Sequence, residues 1–198
     1  MSYHIYTTRG IVLGERPARE ADRVYTIFTR DLGLVRASAT GVRKDLSKLR
    51  GHLEPFSLAT VSLVRGREYW RLTSAELVYN LETRLSGTPE LFLAFAKNLS
   101  LLEKLVAGEE KHTELFEDIA AVAELIVEGN ISALDPESVE ILLAARILFN
   151  LGYLSAEEEF GPLLEGKLTA ETLKAVSESK KSLIKAINQG IQSSQLGS

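Results

Sequence analysis

The chain has 198 residues, 45% hydrophobic and 25% charged, with a formal net charge of −4 at pH 7. Cysteine is absent, which excludes disulfides, thiolate nucleophiles and zinc sites built on thiolates. No apolar run approaches the roughly 20 residues of a membrane span, and MSYHIYTTRG has no apolar signal core, so a soluble, cytoplasmic protein without a membrane partner is expected.

In chain order, Ile5 to Leu13 mixes β-branched and polar residues, and Val24 to Thr29 is rich in strand formers. Asp31-Leu32-Gly33 then turns the chain into Leu34 to Ala39, where Leu34, Arg36 and Ser38 alternate with Val35, Ala37 and Ala39. The stretch GVRKDLSKLRGHLEPF follows, residues 41–56, with Arg43, Lys44, Lys48 and Arg50 inside eight positions. Phe56 to Val64, the turn Arg65-Gly66-Arg67, and Tyr69 to Leu77 make a second predicted hairpin. Five strands within 80 residues, with one long connection, predict a small closed barrel.

From Thr88 the period becomes helical. Thr88 is the expected cap of a helix that starts at Pro89, keeps Leu91, Phe92, Phe95, Leu99, Leu102 and Val106 on one face, and stops at Gly108. Thr113 to Glu128, closed by Gly129, and the stretch opened by Asp135-Pro136 and ended by Gly152 predict two more helices. Residues 169–178 and 180–192 supply two further helical patterns, while 155–168, with Glu157, Glu158 and Glu159, reads as a weakly packed loop. Five helices predict an all-α second domain.

Charge follows the same division. Residues 1–84 carry 14 Lys and Arg against 9 Asp and Glu, or +5, and residues 85–198 carry 9 against 18, or −9. Two domains, 1–84 and 85–198, are therefore expected, the first with the electrostatic footprint of a phosphate binder. Arg43, Lys44, Lys48 and Arg50 are the leading candidates for the nucleic-acid backbone, with Arg23, Arg36, Arg65 and Arg67 on or beside the neighbouring strands. Tyr69 and Trp70 are candidates for base stacking, although adjacent strand residues point to opposite faces and at least one belongs in the core. Glu15, Glu20 and Asp22 stand among Arg16, Arg19 and Arg23, which predicts ion pairs rather than catalysis. His4, His52 and His112 are too far apart for a compact metal motif, and there is no phosphate loop, dinucleotide fingerprint or nucleophile elbow. A binder without cofactor or catalytic residues is expected. Composition alone leaves open DNA, RNA in a translation-associated role, or a protein-interaction adaptor.

A resemblance narrows the choice. Gly10-Ile11-Val12-Leu13, Glu20-Ala21-Asp22-Arg23, Phe28-Thr29 with Gly33, Gly41 to Phe56, and Ala75-Glu76-Leu77 occur in the order and spacing of the N-terminal domain of the bacterial recombination mediator RecO family, which this stretch resembles. ARILFNLGYL, residues 145–154, and SKKSLIKAINQGIQSSQL resemble that family's helical segment and final helix. Many members carry a four-cysteine zinc element after Leu-Gly-Tyr; this chain runs instead through SAEEEFGPLLEGKLTAETL, which has no metal ligands of that kind. The resemblance implies an oligonucleotide-binding (OB) barrel followed by a helical domain. It also implies binding of single- and double-stranded DNA, annealing of complementary strands, partnership with RecR, contact with the acidic C-terminal tail of single-stranded DNA-binding protein, and assistance to RecA, in a nucleoid-associated setting. The tail needs a cation beside an apolar groove, and Arg146, Lys97 and Lys104 are the candidates in the helical domain. An ordinary ion pair within the domain is the alternative for Arg146.

Overall fold

Residues of alternating character fold the first part of the chain into strands: β1 (Ile5–Pro17), β2 (Arg23–Thr29), β3 (Gly33–Ala39), β4 (Ser57–Val64) and β5 (Trp70–Asn80). The structure, a computed structural model, describes residues 4–18, 20, 22–42, 49, 51–128, 134–156 and 160–194. The strands close as β1-β2-β3-β5-β4, the OB-fold order, with β3 and β5 parallel at Ala37↔Trp70 and Ser38↔Arg71.

Closure depends on β1 serving two partners. Its first half pairs with β4 and its second with β2, and both pairings meet at Gly10 and Ile11. Gly10 is required there, because a Cβ would lie 2.6 Å from Ile27 Cγ2. Register steps from Leu58↔Tyr79 to Ala59↔Leu77 and from Ser62↔Ser74 to Leu63↔Leu72 leave Val78 and Thr73 as extra residues in β5, which bends that strand around the core. Val35, Ala37 and Ala39 point inward with Val12, Ile27 and Val61, while Arg36 points out. Phe56 is a non-glycine residue at φ 63°; its N–H donates to the Val12 carbonyl at 2.8 Å and its carbonyl accepts from Leu81 N–H at 3.1 Å. Those two bonds hold it in the left-handed region.

The chain divides into two units, Met1–Arg84 with Ala107–Thr113 and Leu85–Val106 with Glu114–Ser198. The first also contains the short helix α1 (Leu81–Arg84). The second is helical: α2 (Pro89–Leu105), α3 (Thr113–Val127), α4 (Pro136–Asn150), α5 (Gly161–Leu164) and α6 (Ala170–Ser193). Helix α4 buries residues all around its circumference, including Val139, Leu142, Leu143 and Ile147, and packs against α2, α5 and α6.

The helix ends follow local chemistry with one exception. Asp135 caps α4 by accepting from Ser138 N–H at 2.8 Å, and Gly152 at φ 78° ends it in a Schellman motif, with Tyr153 N–H donating to Leu148 O and Gly152 N–H to Phe149 O. Thr88 precedes Pro89 as expected, yet its side chain makes no capping bond and its Oγ1 is buried without a partner among the described residues. The stretch 155–168 also differs from expectation. Phe160, Leu163, Leu164 and Leu168 are buried and α5 forms within it, so it is well packed rather than loosely attached. The two C-terminal helical patterns are one continuous helix, because no Gly or Pro interrupts Glu178-Ser179-Lys180. Gly129 and Glu157 to Glu159 lie outside the described residues. Among the described residues no helix is long and apolar enough to cross a membrane.

Candidate nucleic-acid interface

The outer surface of the barrel can be built from its register. Directly opposed residues of paired strands share a face, so Arg16↔Val24, Val24↔Ser38 and Ser38↔Arg71 put Arg16, Ser38 and Arg71 on the outer face of the sheet, interrupted at β2 by Val24, which is buried. Arg36, two residues from Ser38, lies on the same face, and Arg16, Arg36 and Arg71 are all exposed. The connection between β4 and β5 adds exposed Arg65 and Arg67. Tyr69, half-buried at its end, accepts a hydrogen bond from Arg16 Nη2 at 2.9 Å, and the Arg16 guanidinium carbon is 5.6 Å from the Tyr69 ring centroid. In the sequence Arg16 reads only as an ion-pairing neighbour of acids. Its place beside Tyr69 comes from the length of β1, which continues along β2 through Arg16↔Val24 after its pairing with β4 has ended at Ile11.

The remaining candidates divide into exposed, paired and buried. Arg43, Lys44, Lys48 and Arg50 lie outside the described residues. Arg36 and Arg67 are exposed and carry no ion pair among the described residues. Arg23 pairs with Glu15. The two sit on inward register positions at one end of the barrel, where a cavity of about 340 Å³ is also lined by Tyr25, Leu53 and Glu54. Burial pushes the Tyr25 phenol above its ordinary pKa, against the lowering influence of Arg23. Arg65 Nη1 donates to Glu109 at 2.8 Å, so its charge is compensated within the unit.

Trp70 corrects the stacking expectation. It is 4% exposed, packs edge-on against Tyr6 at 5.4 Å between centroids, and donates its Nε1–H to Glu109 at 2.9 Å. Its ring belongs to the core, which leaves Tyr69 as the stacking candidate of the pair.

Arg146 is likewise corrected as a partner-contact residue. It is 1% exposed, and it donates to Asp118 Oδ1, to the Leu163 carbonyl at 2.9 Å, to the Gly166 carbonyl at 2.9 Å and to the Glu165 carbonyl at 3.3 Å. A guanidinium engaged in this way holds α5 and is closed to a peptide. Lys97 and Lys104 are exposed on α2, beside a groove of about 990 Å³ whose floor includes Leu101, Ile141, Ala144 and Ile187 and whose wall includes exposed Leu93 and Ile184. Lys97 Nζ is 2.9 Å from Glu140 across that groove.

No group of three or more His, Cys, Asp or Glu suited to a metal occurs among the described residues. His52 is occupied structurally, its Nδ1 accepting from Leu77 N–H at 3.2 Å.

Comparison with known proteins adds a family to this geometry. Residues 1–81 match the family model described as "Recombination protein O N terminal". A curated relative from Dehalococcoides mccartyi, "DNA repair protein RecO", is 41% identical over 75 residues, which is 38% of this chain and 30% of that protein. Another of the same name from a Synechococcus species is 51% identical over 67 residues, or 34% of this chain and 24% of that protein. The matched segment thus spans less than a third of the length of either relative.

Proposed function

We propose that this chain, whose residues 1–81 match the RecO N-terminal family model and resemble DNA repair proteins of that name, is a DNA-binding recombination mediator of the RecO family acting in DNA repair. The barrel unit, residues 1–84 with 107–113, is the nucleic-acid-binding domain, and residues 85–106 with 114–198 are the helical domain, so the boundary expected at 84/85 is crossed by 107–113. The protein grips single- and double-stranded DNA by the backbone, anneals complementary strands, and with RecR assists the loading of RecA on DNA coated by single-stranded DNA-binding protein. It does so in the cytoplasm and without catalysing a reaction.

The observation that carries this reading is the outward set of arginines on an OB barrel, with Arg16, Arg36 and Arg71 on the strands and Arg67 and Tyr69 at the β4–β5 connection. OB-folds take oligonucleotides on the β2–β3 face and on the connections after β1 and β4. Exposed arginines on a sheet face favour contacts to the phosphate backbone, which carry little sequence preference, and strands held by their backbones keep their bases free to pair. Arg43, Lys44, Lys48 and Arg50 extend the same charge along the sequence.

Binding of single-stranded DNA, duplex DNA and RNA across a salt series tests the reading. Both DNA forms are expected to bind with a steep salt dependence, and replacing Arg43, Lys44, Lys48 and Arg50 by Ala is expected to lower the slope of log K against log salt by about 0.7 to 0.9 for each phosphate that the protein no longer neutralises. An unchanged slope removes those four residues from the interface, and binding confined to RNA removes the repair role. A further proposal is that the acidic tail of single-stranded DNA-binding protein docks in the groove flanked by Lys97 and Lys104.

A further inference from the structure

Glu109 is an anion set against Arg65 of the β4–β5 connection and the indole of Trp70. Residues 107–113 are anchored along the β2–β3 turn: Leu34 N–H donates to the Gly108 carbonyl at 3.1 Å, and Lys111 Nζ is 3.4 Å from Asp31. Gly33 leaves no room between them, since a Cβ there would lie 2.1 Å from the Glu110 carbonyl oxygen. This anchoring brings the Glu109 carboxylate to the ends of β4 and β5. One oxygen accepts from Trp70 Nε1–H at 2.9 Å and the other from Arg65 Nη1 at 2.8 Å. The Arg65 guanidinium carbon sits 5.2 Å from the Trp70 ring centroid. Two N–H donors, one of them cationic, thus converge on one pair of carboxylate oxygens.

A phosphodiester presents the same feature, two anionic oxygens on one centre, and guanidinium and indole N–H groups serve either anion. The Glu109 side chain is 40% exposed, so it can rotate into water without backbone movement. While it remains in place, Arg65 is already neutralised, and a phosphate arriving there releases no net counterion. We propose that Trp70 Nε1–H and the Arg65 guanidinium form an anion site for a nucleic-acid backbone phosphate, held shut by Glu109 until a phosphate displaces its carboxylate. The ligand follows from the DNA-binding reading above; the site itself rests only on the geometry.

Trp70 is the single tryptophan of the chain, so its fluorescence reports on the site directly. Wild type, Glu109→Gln and Glu109→Ala are titrated with an oligothymidylate at several salt concentrations and, separately, with inorganic pyrophosphate. The Gln variant keeps an acceptor for the indole N–H, which protects the fold. Both variants are expected to bind the oligonucleotide about fivefold more tightly, with a salt slope steeper by about one unit and a change in Trp70 emission. Adding Arg65→Ala to Glu109→Ala is expected to cancel the gain. If wild type binds DNA and the Glu109 variants bind no better, the brake is refuted while the DNA reading stands. A gain that survives Arg65→Ala is general charge relief and also refutes it. If pyrophosphate alone perturbs Trp70 in the variants, the nucleic-acid ligand is wrong and the anion site stands. Absence of DNA binding by wild type defeats the DNA reading, and the pyrophosphate titration then decides the site by itself.

Discussion

Arg146 shows how a single buried side chain can tie together distant segments. Its donors reach Asp118 on α3 and the carbonyls of Leu163, Glu165 and Gly166 around α5, so one guanidinium fixes the path of the chain after α4. Nothing in the residues beside it announces this, because its partners lie 17 to 28 positions away in sequence. Asp118 contributes less than its ion pair suggests. Burial pushes its carboxyl up to about 6 from an ordinary 3.8, outweighing the lowering influence of Arg146, with Glu114 adding to the rise. The folded state therefore binds the proton more tightly than the unfolded chain does. The stabilisation from that proton is fully present below pH 3.8 and is lost as pH rises through about 6. Asp118→Asn removes the titration, so its destabilisation relative to wild type is expected to be larger at pH 4.5 than at pH 7.5, by on the order of 2 kcal/mol. Urea unfolding at the two pH values measures this difference. A larger cost at the higher pH makes the pair a net stabilising salt bridge instead.

At the scale of elements, local signals carry most of the fold and long-range contacts carry the rest. The inward set Val35, Ala37 and Ala39 is readable because strand side chains alternate, and Pro89 and Pro136 mark helix starts because proline has no amide proton to lose there. The burial of Phe160, Leu163, Leu164 and Leu168 is obscured by the glycines and glutamates between them. The seat of residues 107–113 on the β2–β3 turn is not legible at all, since Gly33 and Glu110 are far apart in the chain. That seat can be tested through glycine. Gly33 (φ 68°) and Gly51 (φ 81°) are both left-handed, but a Cβ at Gly51 meets nothing within 4 Å, whereas at Gly33 it meets the Glu110 carbonyl. Gly51→Ala is expected to cost only the left-handed penalty of about 1 kcal/mol. Gly33→Ala adds the backbone clash, for a total of about 3 kcal/mol, and disturbs Trp70 through Glu109. Equal midpoints in denaturant titration, with unchanged tryptophan emission, show that 107–113 yields without strain and is not anchored as described.

Over the whole molecule, charge and chemistry divide the labour. The front of the chain carries +5 and the back −9, so a strand of phosphates meets attraction from one part and repulsion from the other. The groove beside Lys97 and Lys104 suits a different ligand. Its floor is apolar and its rim holds Glu137 and Glu140 as well as the two lysines, which favours a short peptide with one or two carboxylates and a hydrophobic end over a polyanion. Because Lys97 is already engaged by Glu140, an incoming carboxylate must compete for it, and exposed pairs of this kind are worth about 0.2 to 1 kcal/mol. Replacing Lys97 and Lys104 together by Ala is therefore expected to weaken an acidic, hydrophobic-ended peptide by about two- to tenfold. The same pair of substitutions is expected to leave the affinity for single-stranded DNA and its salt slope unchanged, since the cationic face proposed for DNA lies on the barrel. Fluorescence anisotropy with labelled peptide and labelled oligonucleotide measures both on one preparation. If the lysine substitutions flatten the DNA slope and spare the peptide, DNA runs over the helical domain too, and the division of charge along the chain does not correspond to a division of partners.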